Sequence, residues 1–294
     1  MILTVGSLNV DHAIGVPHIP RPGETVAASG VTVSPGGKGG NVAVAAAKLG
    51  GKVNMLGCVG RDAGGELLLS SLAAAGVETA RVLQTGDADT SAAYICVSAD
   101  GENAIAVDGT ANRLVTPQYV QDNADAFAAA DFCIMQLEIP RQTVLAALRL
   151  CRQHGVRAVL NPSPLDQFGE DLLCGVDILV ANAAEAEVIL GKAPKDVAVQ
   201  DFMAAHGISI FVITRGGAGS RLYLRDAPAT DISANRVVAV DTTGAGDTYL
   251  GAFVAALDRG DDPRQAAEFA GRAAGIAVTR RGAQAAMPTL EELQ

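Results

Sequence analysis

The chain has no tryptophan, and aromatic residues supply only 4% of its 294 residues. That scarcity speaks against a broad stacking surface for large flat ligands. Positive charge is also sparse. Against 32 Asp and Glu stand 22 Lys and Arg, a formal charge of −10, and the basic residues form no run. Nucleic acid is thereby disfavoured as a partner, because a phosphate backbone is held by clustered Lys and Arg. No stretch approaches 18 uninterrupted apolar residues, and the strand-like Ile2–Val5 has no basic segment before it. Neither a membrane span nor a secretory leader is expected, and the reading is a soluble, cytoplasmic protein. The five cysteines (Cys58, Cys96, Cys133, Cys151, Cys174) include no CxxC pair and lie mostly in apolar runs, which points to buried reduced thiols. The four histidines do not fall at ligand spacing, and His12, beside Asp11, reads as structural.

What the chain has in quantity is apolar sequence, 49% of it, enough for one large α/β domain over residues 1–294. Strand-like runs at Ile2–Val5, Val53–Cys58, Asp131–Leu137, Ala158–Leu160, Asp177–Val180 and Ile208–Ile213 alternate with helical ones at Val42–Leu49, Gly65–Ala75, Gln142–His154, Val199–His206, Thr248–Leu257 and Arg264–Ala277. This rhythm predicts a mainly parallel central sheet flanked by helices. Two stretches break it. Residues 10–34 hold three prolines and no helical period, and residues 91–108 read as a hairpin, Ala93–Ser98 and Ala104–Asp108. Strands outside the alternation predict a small separate β-sheet, a lid.

Two glycine-rich segments carry the chemistry. Asp241-Thr242-Thr243-Gly244-Ala245-Gly246-Asp247 joins the apolar run Val237–Val240 to a helical run. Three or four unpaired N–H groups and the helix dipole at such a start attract an anion. Asp247 beside that anion is placed to take a proton from a hydroxyl attacking a phosphate. The second segment, Gly36-Gly37-Lys38-Gly39-Gly40-Asn41, also feeds a helix. Lys38 is followed by Gly39 rather than Ser or Thr, and neither loop has GxGxxG spacing, so a Walker NTPase and a dinucleotide dehydrogenase are both disfavoured. Polar residues follow five strands: Gly6 to Asp11, Glu138, Asn161, Asn182 with Glu185, and Thr214 to Gly217. All lie at carboxyl ends, which in an open parallel sheet border one crevice.

With these residues in hand, the chain resembles the ribokinase-like carbohydrate kinases, the phosphofructokinase B superfamily, with its ribokinase branch nearest. The signatures are GGKGGN with its helix at Gly36 to Gly50, DTTGAGD at Asp241 to Asp247, NxxE at Asn182 to Glu185, GSxNxD at Gly6 to Asp11, and Ala277 to Ala283. They cover the whole chain in order. The resemblance implies Asp247 as catalytic base and Gly244, Ala245 and Gly246 as the anion hole for the γ-phosphate of ATP. It assigns Thr214, Gly216, Gly219, Gly246 and Gly271 to the nucleotide, Asn182 and Glu185 to Mg2+ through its waters, and Asn9, Asp11, Gly37, Lys38, Asn41 and Glu138 to the sugar. A helix cap is the plain structural alternative for Asn182 and Glu185. For a monovalent cation, K+, it implies the Asp241 side chain and the carbonyls of Thr243, Ala277, Arg280 and Gly282; Ala286 stands where a hydroxyl residue is usual, which implies weaker activation. A homodimer through the lid is likewise implied.

The expected activity is transfer of the γ-phosphate of ATP to the primary hydroxyl of a free pentose, ribose foremost. A phosphorylated sugar would call for more cations than Lys38, and a nucleoside for lid aromatics beyond Tyr94. Deoxyribose, fructose or another ketose, and a nucleoside remain the alternatives in class. A non-catalytic sugar or nucleotide sensor is the alternative outside it, against which stand the intact Asp247, Asn182 and Glu185.

Overall fold

A computed structural model describes residues 1–293. In chain order the elements are β1 (Ile2–Val5), β2 (Asn9–Val16), β3 (Gly30–Gly36), α1 (Lys38–Lys48), β4 (Val53–Leu56), β5 (Cys58–Gly60), α2 (Ala63–Ala74), β6 (Leu83–Thr85), β7 (Ala92–Ser98), β8 (Asn103–Asp108), α3 (Pro117–Asp122) and α4 (Ala124–Ala128). There follow β9 (Phe132–Met135), α5 (Arg141–His154), β10 (Arg157–Leu160), β11 (Ile178–Asn182), α6 (Ala183–Leu190), α7 (Asp196–His206), β12 (Ile210–Thr214), β13 (Ser220–Leu224), β14 (Thr230–Ile232), α8 (Ala245–Arg259) and α9 (Pro263–Ala277). The large sheet has the order β14-β13-β12-β11-β10-β9-β1-β4. It is parallel from β4 to β12, and β13 and β14 add an antiparallel edge.

Its central strands are buried on both faces, so they read as continuous apolar runs rather than alternating ones. Neighbours on β1 go to opposite cores: Ile2 packs with α1 and α8 residues such as Val42 and Phe253, and Leu3 with α5 residues such as Val144 and Leu148. On α5 the buried set Val144, Ala147, Leu148 and Cys151 follows the i, i+3, i+4, i+7 stripe. Helix α8 is buried from Asp247 to Leu257. Its Gly251 lies so close to α1 that a Cβ there would stand 2.6 Å from the Ala45 Cβ. That approach brings the starts of α1 and α8 together.

The second sheet, β3-β2-β7-β8, is separate from the first. β2 pairs antiparallel with β3 and parallel with β7, and β7 forms the expected hairpin with β8. Among the described residues no helix is long and apolar enough to cross a membrane.

Three expectations need correction. The run Val53–Cys58 is two strands, because the Gly57 N–H donates to the Tyr119 hydroxyl, the Gly57 carbonyl accepts from Leu83 N–H, and β5 leaves to pair with β6. Helix α1 starts at Lys38, four residues before Val42, so the glycines form its first turn. Of the cysteines, all are free, but Cys174 is exposed and Cys96 half-buried.

Candidate active site

The carboxyl ends of β1, β9, β11 and β12 meet the first turns of α1 and α8. Gly37 caps α1 with φ 83°, where a Cβ would sit 2.7 Å from the Asn9 nitrogen. At Gly39 it would be 2.6 Å from the Gly6 carbonyl carbon and the Ser7 nitrogen. Backbone lies on backbone there, and only glycine fits. The contact is held by Gly40 N–H donating to the Ser7 carbonyl at 2.9 Å. Around it, Glu138 Oε2 accepts from the Ser7 hydroxyl at 2.5 Å and from Lys38 N–H at 3.1 Å.

Asn9 is buried, and its Oδ1 accepts from Asn112 Nδ2 at 2.7 Å. Asn112 in turn accepts from Leu8 N–H at 3.0 Å. Asn41, also buried, donates from Nδ2 to Asp247 Oδ2 at 2.8 Å. The other Asp247 oxygen has no protein donor among the described residues.

Four charges share this pocket. Burial, with the Glu138 and Asp247 carboxylates nearby, pushes the Asp11 carboxyl up to about 7. Burial also raises Asp247, against the opposing pull of Lys38 and the Asn41 hydrogen bond. For Lys38, burial disfavours the charge, but Asp247, Glu138 and Glu185 outweigh it and hold the ammonium above its ordinary value. These mutual influences put Asp11, Lys38, Glu138, Asp247 and, farther out, Glu185 in one field.

At the start of α8, Gly244 is left-handed, φ 71°. The Ala245 N–H is spent on the Thr242 carbonyl at 3.2 Å. Three donors remain at this helix start, in line with the expected three or four: among the described residues the N–H groups of Gly244, Gly246 and Asp247 have no acceptor. On the side away from Lys38 lies a groove of about 410 Å³, within the size range of small-molecule sites. Thr214, Gly216, Gly219, Gly246 and Gly271 all line it, and the exposed chain at Val237 forms part of its wall. Asn182 does not line it, but sits opposite Thr214 in the β11–β12 pairing.

Asn182 and Glu185 form a reciprocal capping box on α6, each side chain accepting the other's N–H. The structural alternative for this pair is therefore realised, and the half-buried Glu185 still acts on Asp247 and Lys38 through its field. Asp241 accepts from Thr243 N–H at 2.9 Å and from Gly282 N–H at 2.8 Å. Despite partial burial, these bonds lower its carboxyl below the usual range. The Ala277 carbonyl accepts from Arg280 N–H, whereas those of Thr243, Arg280 and Gly282 accept no hydrogen bond among the described residues.

Sequence reasoning did not single out Asn112 or Gln284, and it quoted Ser7 only within a motif. Asn112 lies in a short helical turn between the lid and α3, and Gln284 follows the C-terminal motif. Neither has a local pattern that marks it.

A parallel sheet whose carboxyl edge joins an acid-lined pocket to a larger groove across a helix start is the arrangement of a small-molecule kinase. The family model for pfkB family carbohydrate kinases matches residues 1–290, and the chain belongs to that family. It is 35% identical over 298 residues to the ribokinase of Staphylococcus aureus, covering 99% of this chain and 98% of the relative. It is 32% identical over 297 residues to the deoxyribokinase of Salmonella typhimurium, covering 99% and 96%. Among solved structures, Arabidopsis thaliana ribokinase complexed with ribose and ATP matches with a TM-score of 0.91 at 28% identity, covering 99% and 96%.

Proposed function

We propose that this protein is an ATP-dependent sugar kinase that phosphorylates the primary hydroxyl of ribose, giving ribose 5-phosphate. One observation carries the reading: Asp247 is buried at the start of α8 among the free N–H groups of Gly244, Gly246 and Asp247, with polar sugar-binding chemistry on one side and the groove on the other. An aspartate with an ordinary pKa of about 3.9 cannot deprotonate an alcohol in advance. In a loose transition state the proton moves late. Asp247 therefore orients the attacking hydroxyl through Oδ1 and accepts its proton as the phosphoryl group transfers. The Gly246 and Asp247 N–H groups stand ready for the charge developing on the phosphate. Asn9, Asp11, Lys38, Asn41 and Glu138 hold the sugar hydroxyls, with Gly37 allowing close backbone approach.

ATP takes the groove along Thr214, Gly216, Gly219 and Gly271. Among the described residues no cluster of three or more His, Cys, Asp or Glu is placed to hold a metal. Mg2+ here would depend on Glu185, with Asn182 beside it, and on water and phosphate oxygens, a donor set that suits a hard ion retaining its hydration. When bound, Mg2+ supplies neutralisation of phosphate charge. The ionised Asp241 and the unspent carbonyls of Thr243, Arg280 and Gly282, with Ala277, fit K+ by donor chemistry, while the apolar Ala286 offers it nothing.

The lid sheet ends in edge strands β3 and β8 that show Val31, Val33, Ile105 and Val107 to solvent, each more than half exposed. This supports a homodimer through the lid. A single domain over residues 1–294, with β2, β3, β7 and β8 as its lid, and a cytoplasmic location complete the proposal. The location is supported by the ATP requirement and the five unpaired thiols.

The test is ADP release with Mg·ATP and K+ against ribose, 2-deoxyribose, fructose, other free sugars, nucleosides and sugar phosphates. A kcat/KM for ribose at least about tenfold above the others supports the proposal. Turnover centred on a nucleoside or sugar phosphate would overturn the substrate, and no turnover at all would favour a sensor.

A further inference from the structure

Asp247 is held by a single side chain, and that side chain is itself held. Asn41 Oδ1 accepts from Gln284 Nε2 at 3.2 Å, and Gln284 Oε1 accepts from the Ser71 hydroxyl at 2.7 Å. Lys48 anchors the Gln284 backbone, donating from Nζ to its carbonyl at 2.8 Å. Gln284 is only 4% exposed. Ser71 lies on α2, Asn41 on α1 and Asp247 on α8, so the chain of bonds ties three helices and the C-terminal segment.

We infer that Gln284 is a positioning residue for Asp247, acting through Asn41. An ionised carboxylate only accepts, so Asn41 must present Nδ2 to it. The Asn41 oxygen then faces the protein interior and needs a donor, which Gln284 alone provides among the described residues. Gln284 is oriented the same way by Ser71. Every donor from Ser71 onward points toward Asp247 Oδ2, and bonds in such a chain polarise one another. Oδ2 is thereby spent inside the protein and Oδ1 is left for the substrate hydroxyl. Removing the Gln284 donor leaves a buried oxygen unpaired and frees Asn41 to turn. The bond that favours ionised Asp247 weakens, and its carboxyl rises further.

The inference rests on Asp247 as the base of the proposed kinase, but its test does not need turnover. Gln284→Met keeps length without a donor, and Gln284→Glu keeps an acceptor for Ser71 while offering Asn41 none. In both, the Asp247 carboxyl, followed by carbon-13 NMR in the ligand-free protein and assigned with Asp247→Asn, should titrate about one pH unit higher than in wild type. In the kinase assay kcat should fall about tenfold, the KM for Mg·ATP should hold, and the acidic limb of the rate profile should shift with the carboxyl. Ser71→Ala removes only a hydroxyl at a half-buried site and should move the titration in the same direction by less. A titration within about 0.2 units of wild type in the folded variants overturns the inference, whatever happens to thermal stability. If wild type phosphorylates no sugar, the functional reading fails while the NMR result still decides the link.

Discussion

Gly39→Ala is the substitution for which the structure dictates the largest consequence from one methyl group. The added carbon would stand 2.6 Å from two backbone atoms of Gly6 and Ser7 and 2.7 Å from the Gly6 Cα. Neither wall is a flexible side chain, so α1 must move away from the end of β1. Overpacking of this kind costs about 1–3 kcal/mol, and backbone on both sides places it at the upper end. The shift also stretches Gly40 N–H to the Ser7 carbonyl and Lys38 N–H to Glu138, each bond contributing about 1 kcal/mol. Against this, alanine in a helix is worth up to about 1 kcal/mol over glycine. The net loss is roughly 4 kcal/mol, which for a chain of this size lowers Tm by about 8–16 °C. Because Lys38 and Asn41 travel with α1 and lose their register with Glu138 at the end of β9, the KM for sugar should rise about tenfold or more. Gly271→Ala is the contrast: it lies within α9 with nothing within 4 Å of the new carbon, so Tm should rise by about 1–4 °C. Thermal denaturation and the ADP-release assay read both. A Gly39→Ala protein melting within about 2 °C of wild type with an unchanged sugar KM would refute the close-approach argument.

Three further outcomes are expected. Asp247→Asn should retain ATP and sugar binding by calorimetry while kcat falls by about 10² to 10⁴, and a variant that keeps most of its turnover would remove Asp247 from the role of base. Asp11 is raised from 3.8 to about 7 on folding, so the folded state binds the extra proton and stability drains away as pH climbs from about 4 to about 7. Asp11→Asn should therefore be more stable than wild type at pH 8, by roughly 2–4 kcal/mol, and not at pH 4; a Tm difference that stays flat with pH would contradict this. Ala286→Ser introduces a hydroxyl at a buried position four residues after the proposed cation ligand Gly282, so kcat should depend more steeply on K+ in the variant; an identical K+ titration would show that residue 286 has no part in the site.

The parallel strands were legible because burial on both faces makes them mostly apolar runs, and Ile2–Val5 was read to the residue. The separate sheet was legible because its prolines and alternation break that rule. Helix α1 was misread at its start. Gly39 and Gly40 have poor helix propensity, and they are helical because a tertiary contact with Gly6 and Ser7 demands both the turn and the missing Cβ. The exposure of the apolar run Val237–Val240 was not legible, because an apolar tetrapeptide carries no record of whether another element covers it, and this one borders the groove. In the site, the glycines, Lys38, Asp247 and Glu138 could be found by chemistry and position. The partner of Asn41 could not, since Gln284 stands 243 positions away and nothing near it marks a buried amide.

The electrostatics of the pocket bear on which sugar it takes. Asp11, Glu138 and Asp247 surround one ammonium, Lys38, and two of the three carboxyls are pushed up by burial and by one another. A polyol relieves this strain, because each hydroxyl donates to a carboxylate without adding charge. A phosphate brought to the same place would set a further anion among them. At a separation of about 6 Å and an effective dielectric near 20, each such pair costs roughly 3 kcal/mol, a factor of about a hundred in affinity. The single lysine, already engaged by the carboxylates, offsets no more than about one such pair. Anionic groups are instead accommodated across Asp247, where the Gly246 and Asp247 N–H groups are free and the dipole of α8 favours negative charge. On the roles proposed above, the placement of charge would divide the crevice into a side for neutral hydroxyls and a side for phosphates, with Asp247 at the boundary. That division selects against sugar phosphates before any detail of ring shape is considered.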